Sequence, residues 1–233
     1  MANLLLTRGI KKGNTVAILL MNCIEWLPIY FGILKTGALA VPMNYRYTAE
    51  EIKYCIDLAD VDMLVFGPEF IGRVEDIFDS ISDKTLFYVG EEKPSFADSL
   101  NEMISYCSTD APKIPLTVED NAAIYFSSGT TGFPKAILHA HRALISSCIT
   151  EQHHHLQTRE DTFLCIPPLY HTGAKMHWFG SLYSGSRAVL LRGVKPEWII
   201  RAASDERVSI VWLLVPWAQD ILDAIDRGEI KLS

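Results

Sequence analysis

The stretch Val16–Asn44, "VAILLMNCIEWLPIYFGILKTGALAVPMN", decides the fold. It opens on the unbroken apolar run "VAILL", which reads as a strand buried on both faces. In "EWLPIYFGILKTG", Trp26, Ile29, Ile33 and Leu34 recur on one helical face. Pro28 fits the first turn of that helix, where a missing N–H costs nothing. "ALAVPMN" then supplies a second apolar run. Strand, helix and strand in this order make a parallel pair, whose sheet must be covered by helices. The expected class is α/β, with mostly parallel sheets flanked by helices.

The same alternation extends along the chain. "TAEE" offers a capping box, with Thr48 as N-cap and Glu51 reaching back, ahead of Ile52, Cys55, Ile56 and Ala59 at helical spacing. Val61–Gly67 and Thr85–Gly90 read as strands, with helical segments over 70–81 and 95–106. Residues 108–120, "STDAPKIPLTVED", hold two prolines and no period, so they read as a connector. This gives a first α/β segment over 1–110 and a second over 111–233. The second segment has strands at "AAIYFS", "TFLCIPP", "RAVLLR" and "SIVWLLVP", and a helix from His141 to Gln157. "NLLLTRGI" reads as the last turns of a helix, and "DAIDRGEIKLS" stops directly after one, so a longer protein is expected.

Composition narrows the class of function. With 49% hydrophobic and 21% charged residues, the chain has enough apolar material for a globular core. A formal net charge of -7, with Lys11-Lys12 the only adjacent basic pair, argues against a nucleic-acid partner. The most apolar region, 16–43, is broken by Asn22, Glu25, Pro28 and Lys35, so no membrane span is expected. No secretory leader pattern opens the chain, and the cytoplasm is the expected compartment. Cys23, Cys55, Cys107, Cys148 and Cys165 are odd in number with no CxxC pair, and read as reduced thiols. His153, His154 and His155 are consecutive; on a helix they point about 100° apart, cannot share one ion, and read as a solvated helix end.

The chemistry gathers at Ile124–His141, "IYFSSGTTGFPKAILHAH". Read as a turn between a strand and a helix N-terminus, it would aim backbone N–H groups and the helix dipole at one anion. Gly129 and Gly132 permit positive φ, Ser127, Ser128, Thr130 and Thr131 offer hydroxyls to phosphate oxygens or to magnesium, and Lys135 adds a point charge. The spacing excludes a Walker loop, because Phe133-Pro134 separate the second glycine from the lysine. From the residues alone, a Ser/Thr/Gly turn beside a solvated lysine stands as the bland alternative.

The order of residues in "IYFSSGTTGFPKAILHAH" resembles the phosphate-binding signature of the adenylate-forming superfamily, in particular the AMP-forming acyl-CoA synthetases. Glu25-Trp26 and Val41-Pro42-Met43-Asn44 resemble that family's opening segment, and "PPLYHTGA" its aromatic-histidine motif. The resemblance implies an incomplete N-terminal domain of such an enzyme. It implies that a carboxylic acid attacks the α-phosphate of ATP, with magnesium, to give acyl-AMP, and that CoA then displaces AMP. It places Ser127, Ser128, Gly129, Thr130, Thr131, Gly132 and Lys135 on the ATP phosphates, with Thr130 and Thr131 near magnesium. Tyr170, His171 and Gly173 fall to the acyl pocket, although a helix-capping histidine beside a buried tyrosine would fit the same residues. Ala136 stands where the family usually has glycine, and His141 matches a histidine common there.

Family members are more than twice this length, and their adenine- and ribose-binding segments, hinge and C-terminal lysine are not in this sequence. The chain alone is therefore expected to be inactive, the parent being a ligase for a fatty or aryl acid. Two rivals remain: a non-catalytic shortened homologue serving as a binding or scaffold module, and an unrelated phosphotransferase that yields ADP.

Overall fold

A short helix, α1 (Ala2–Thr7), leads into β1 (Thr15–Leu19), which is buried at every position, as the centre of a parallel sheet demands. Helix α2 (Trp26–Lys35) buries Trp26, Ile29, Tyr30, Ile33 and Leu34 and delivers the chain to β2 (Leu39–Pro42). β2 runs parallel to β1, with Thr15 opposite Leu39 and Ile18 opposite Pro42. The expected βαβ unit is present. The structure, a computed structural model, describes residues 1–127 and 132–230.

Helix α3 (Ala49–Leu58) carries the capping box: Glu51 N–H donates to Thr48 Oγ1 at 3.2 Å, and Thr48 N–H donates to Glu51 Oε2 at 2.8 Å. Then come β3 (Met63–Phe66), α4 (Ile71–Asp76), β4 (Thr85–Tyr88), β5 (Asp98–Ser99) and α5 (Leu100–Ser105). The helical period over 70–81 resolves into α4 between two 3-10 turns, and the helix expected over 95–106 begins only where Ser99 caps it. Beyond the connector, β6 (Asn121–Ser127) and β7 (Lys135–Ala140) join the same sheet, whose order is β5-β4-β3-β1-β2-β6-β7. All pairs are parallel except β6 with β7.

Side chains alternate between the two faces of this sheet. Ala17, Leu19, Leu64, Phe66 and Tyr88 share one core with Ile52, Cys55 and Ile56 of α3 and Val74 of α4. Val16, Ile18, Met63, Val65 and Phe87 are equally buried on the other face. α2 packs on β1 and β2, and α1 on α2. Covering both faces is what lets these strands be continuously apolar.

The chain divides into two compact units, Met1–Leu144 and Ile145–Ser233, and the boundary falls inside α6 (His141–His154). The hydroxyl-rich segment between β6 and β7 thus belongs to the first unit although it follows the connector. In the second unit, β8 (Thr162–Cys165), α7 (Thr172–Ser184), β9 (Arg187–Leu190), α8 (Pro196–Asp205), β10 (Ile210–Val211) and α9 (Val215–Asp226) build a parallel sheet in the order β10-β8-β9. Leu164 and Ile166 pack there with Ile199 and Ile221. The strand expected through "SIVWLLVP" is shorter, because Pro216 occupies the first turn of α9 and commits the chain from Val215 onward to helix. Within this unit, Lys175 Nζ donates to Ser147 Oγ at 2.9 Å, and Gln157 Nε2 donates to Ser181 Oγ at 3.0 Å and Ser186 Oγ at 2.8 Å. These bonds hold the later turns of α6 and the segment after it against α7.

All five cysteines are thiols, as expected. Burial raises those of Cys55 and Cys165 to about 12, so neither supplies a thiolate near neutral pH. No helix among the described residues is long and apolar enough to cross a membrane.

Candidate functional site

The signature segment sits in a β-hairpin, which corrects one expectation. Lys135 opens a strand that stands between the turn and the helix expected from His141: β7 runs antiparallel to β6, with Ser127 directly opposite Lys135 and Ile124 opposite Leu138. The Phe133-Pro134 step disfavours helical backbone before the proline, and "KAILHA" satisfies its backbone against β6. α6 starts only at His141, so its N-terminal dipole, which decays within one turn, does not act beside Lys135.

The hairpin places Ser127 and Lys135 as the two posts of the segment 128–134. Ser127 is half-buried and Lys135 exposed. Gly132 adopts φ 97°, a left-handed conformation that a side chain would strain. Next to it, the ring of Phe133 lies 4.7 Å from that of Tyr54 on α3, and Pro134 is buried, so this end of the segment is anchored to the first unit's core. Ser128, Gly129, Thr130 and Thr131 lie outside the described residues. β6 is fixed from behind, where the Tyr125 and Tyr30 hydroxyls are hydrogen-bonded at 3.1 Å. At its start Asp120 accepts from Thr117 N–H at 2.7 Å and pairs with Lys12 at 2.8 Å; the lysine is the main cause that lowers the Asp120 pKa.

His139 meets Tyr125 edge-on at 5.5 Å. His141 donates its backbone N–H to Asp120 O at 3.0 Å, while its Nε2 is buried without a hydrogen-bond partner among the described residues. Burial depresses its pKa and keeps the ring neutral.

In the second unit, His171 is the N-cap of α7: its Nδ1 accepts from Gly173 N–H at 3.0 Å. An accepting Nδ1 places the proton of the neutral ring on Nε2, leaving that nitrogen as a donor. Desolvation lowers the His171 pKa, in keeping with the neutral form. Its ring stacks on Trp212 at 6.3 Å with an interplanar angle of 29°. Gly173 is buried, and a Cβ there would come within 2.8 Å of the Trp212 ring, so the glycine is what lets that indole approach the cap. Tyr170, next in sequence, is half-buried. The structure thus joins His171 and Gly173 around Trp212. That tryptophan carried no signal of its own in the sequence beyond lying in an apolar run.

Helix α7 also buries two titratable side chains, Lys175 and His177. Lys175 gains the Ser147 hydroxyl and lies 5.9 Å from the Phe179 ring centre. Burial lowers the pKa of both residues. A pH effect follows from the three histidines whose charged form desolvation disfavours. The folded-state pKa values of His141, His171 and His177 all lie below the ordinary 6.5. Unfolding therefore takes up protons, and stability is full above 6.5 and declines as the pH falls through the window beneath it. Melting temperatures recorded between pH 8 and pH 5 are expected to be flat and then to drop below about pH 6.5; a midpoint that rises on acidification contradicts the desolvation of these rings.

Comparison with known proteins decides what this frame is. Residues 1–231 match the AMP-binding enzyme family. The chain belongs to that family. Among its relatives is the 4-hydroxybutyrate–CoA ligase 2 of Metallosphaera sedula, 24% identical over 241 residues covering 100% of this chain and 44% of that protein. The inhibitor-bound N-terminal domain of FACL13 from Mycobacterium tuberculosis superposes with a TM-score of 0.86 at 26% identity, covering 99% of this chain and 57% of that one. ATP-bound MatB from Rhodopseudomonas palustris gives 0.83 at 25% identity, with 95% of this chain and 43% of MatB covered. The chain therefore spans about half the length, or less, of these AMP-binding enzyme relatives.

Proposed function

We propose that this chain is the phosphate-binding N-terminal part of an AMP-forming acyl-CoA ligase, which activates a fatty or aryl carboxylic acid in the cytoplasm. The observation that carries the reading is the hairpin frame: an exposed lysine directly across from a serine, at the mouth of the hydroxyl- and glycine-rich signature. An ATP-bound protein and a named CoA ligase among the relatives support it.

In the first half-reaction a carboxylate oxygen bonds to the α-phosphorus as the bond to the pyrophosphate oxygen breaks. The departing group carries the charge, and Lys135, Ser127 and the hydroxyls and N–H groups of residues 128–132 offer donors that are strongest where that charge grows. Hydroxyl oxygens are also hard donors of the kind magnesium takes, and Thr130 and Thr131, outside the described residues, are the proposed pair. In the second half-reaction the CoA sulfur bonds to the acyl carbon and AMP leaves. Neutral His171, with Nδ1 engaged by Gly173, presents an Nε2–H donor for the acyl end, beside Tyr170 and the Trp212 ring. Apolar and aromatic residues in this segment favour a fatty or aryl acid.

The reading is tested by supplying the protein that carries this chain with ATP, CoA and a panel of carboxylic acids. Acid-dependent release of AMP and pyrophosphate is expected; ADP as the product overturns it. The 233-residue chain alone is expected to form no thioester, and thioester formation by it overturns that part of the proposal.

A further inference from the structure

The three consecutive histidines do not act as a group. His153 and His154 are exposed at the end of α6, whereas His155, one residue beyond it, faces a different set of neighbours. Its backbone N–H still donates to Glu151 O at 3.0 Å, so the helical path continues and puts the two side chains one turn apart on one face. His155 Nε2 lies 3.4 Å from Glu151 Oε2. From α7, His177 Nδ1 approaches the same carboxylate oxygen at 3.9 Å, and the two imidazoles stand 5.2 Å apart between centres.

We propose that Glu151, His155 and His177 form a binding site for a divalent transition-metal ion of the zinc class. The donor set fits: two imidazole nitrogens and one carboxylate oxygen, with a fourth position left for water, is a common three-ligand zinc arrangement. One ligand atom from each residue lies within 4.8 Å of the other two. Ligands of a tetrahedral zinc at about 2.0–2.1 Å stand about 3.3 Å from each other, so the His155–Glu151 spacing needs no change and the others close by a side-chain adjustment. His155 is exposed and so has room to adjust, while His177 is 6% exposed and held.

What holds His177 is the packing around it. Phe163 of β8 lies 5.1 Å from its ring and Trp212 lies 5.7 Å away. The α6–α7 contact is pinned on both sides of the cluster, by Lys175 to Ser147 and by Gln157 to Ser181. Two ligands thus come from the last turn of α6 and the turn that continues it, at i and i+4, and the third from a helix hydrogen-bonded to α6. A preformed pair on a fixed frame lowers the ordering cost of capturing an ion. A plain surface ion pair between Glu151 and His155 would need no buried imidazole turned toward the same oxygen. The site lies wholly within the second unit and does not depend on the ligase reading.

The test is titration of the 233-residue chain, free of any histidine tag, with zinc chloride followed by calorimetry, and with cobalt chloride followed by visible absorption. One ion per chain and the intense cobalt bands of a low-coordinate N/O site are expected. His155→Ala, at an exposed position that leaves the fold intact, and Glu151→Gln are each expected to weaken zinc binding at least about tenfold. His153→Ala and His154→Ala are expected to leave it unchanged. His177→Gln is expected to abolish the cobalt spectrum; should that variant fail to fold, His155→Ala and Glu151→Gln decide. Absence of stoichiometric binding, or equal loss in the His153 and His154 variants, overturns the proposal.

Discussion

Replacing Lys135 by alanine in the protein that carries this chain is expected to slow acyl-adenylate formation by about a hundredfold or more, the scale of losing one preorganised donor at a developing charge. Thioester formation from preformed acyl-AMP is expected to change little, because pyrophosphate has already left. The hairpin is the reason for so large an effect at an exposed residue. Register fixes the Lys135 backbone directly across from Ser127, and the Phe133–Tyr54 contact and buried Pro134 fix the approach to it. The lysine is thus held at the mouth of the segment 128–134, the proposed phosphate site, with only its own side-chain torsions to order. Lys135→Arg keeps the charge in a bulkier planar form and is expected to recover part of the rate. Pyrophosphate exchange measured beside the thioester step separates the two half-reactions. Equal losses in both remove Lys135 from phosphate binding.

Phe66→Ala is expected to destabilise the first unit by about 3–5 kcal/mol, out of the roughly 5–15 kcal/mol a domain commonly has. Phe66 is 0% exposed on β3, with Tyr88 edge-on at 5.7 Å and Phe96 stacked at 6.0 Å. Its loss opens a cavity between the sheet and the layer formed by α3 and α4, and neighbouring strands pinned in a parallel ladder collapse into it only in part. Phe66→Leu refills most of the volume and is expected to cost less. Urea denaturation of the two variants beside the parent chain gives the comparison. A loss below about 1 kcal/mol for the alanine variant would mean that this layer repacks freely, against the close packing of its rings.

Much of the frame was readable before any coordinates, and for a definite reason. The βαβ unit at 15–42 and the capping box at Thr48 and Glu51 depend on residues within one or two turns of each other. Their signals, periods of 2 and 3.6 and a side chain matched to an N-terminal N–H, are local. The site was legible differently: the order of residues 124–141 resembles a known signature, and the family match agrees with it, while the setting of that segment was misread. "KAILHA" carries no helical or alternating pattern strong enough to choose, and what chose was the free edge of β6.

The sequence by itself determined the α/β class, most of the strands and helices, and the family, because apolar period and motif order are written along the chain. Only the tertiary structure decided which strand pairs with which, and so put Lys135 opposite Ser127 in a hairpin. It alone brought Trp212 over His171 and Gly173, and turned His155 and Glu151 toward His177. Each of these joins residues well apart in the chain, or selects one of three like neighbours, and such choices are made by packing and edge pairing between elements rather than by any element's own period.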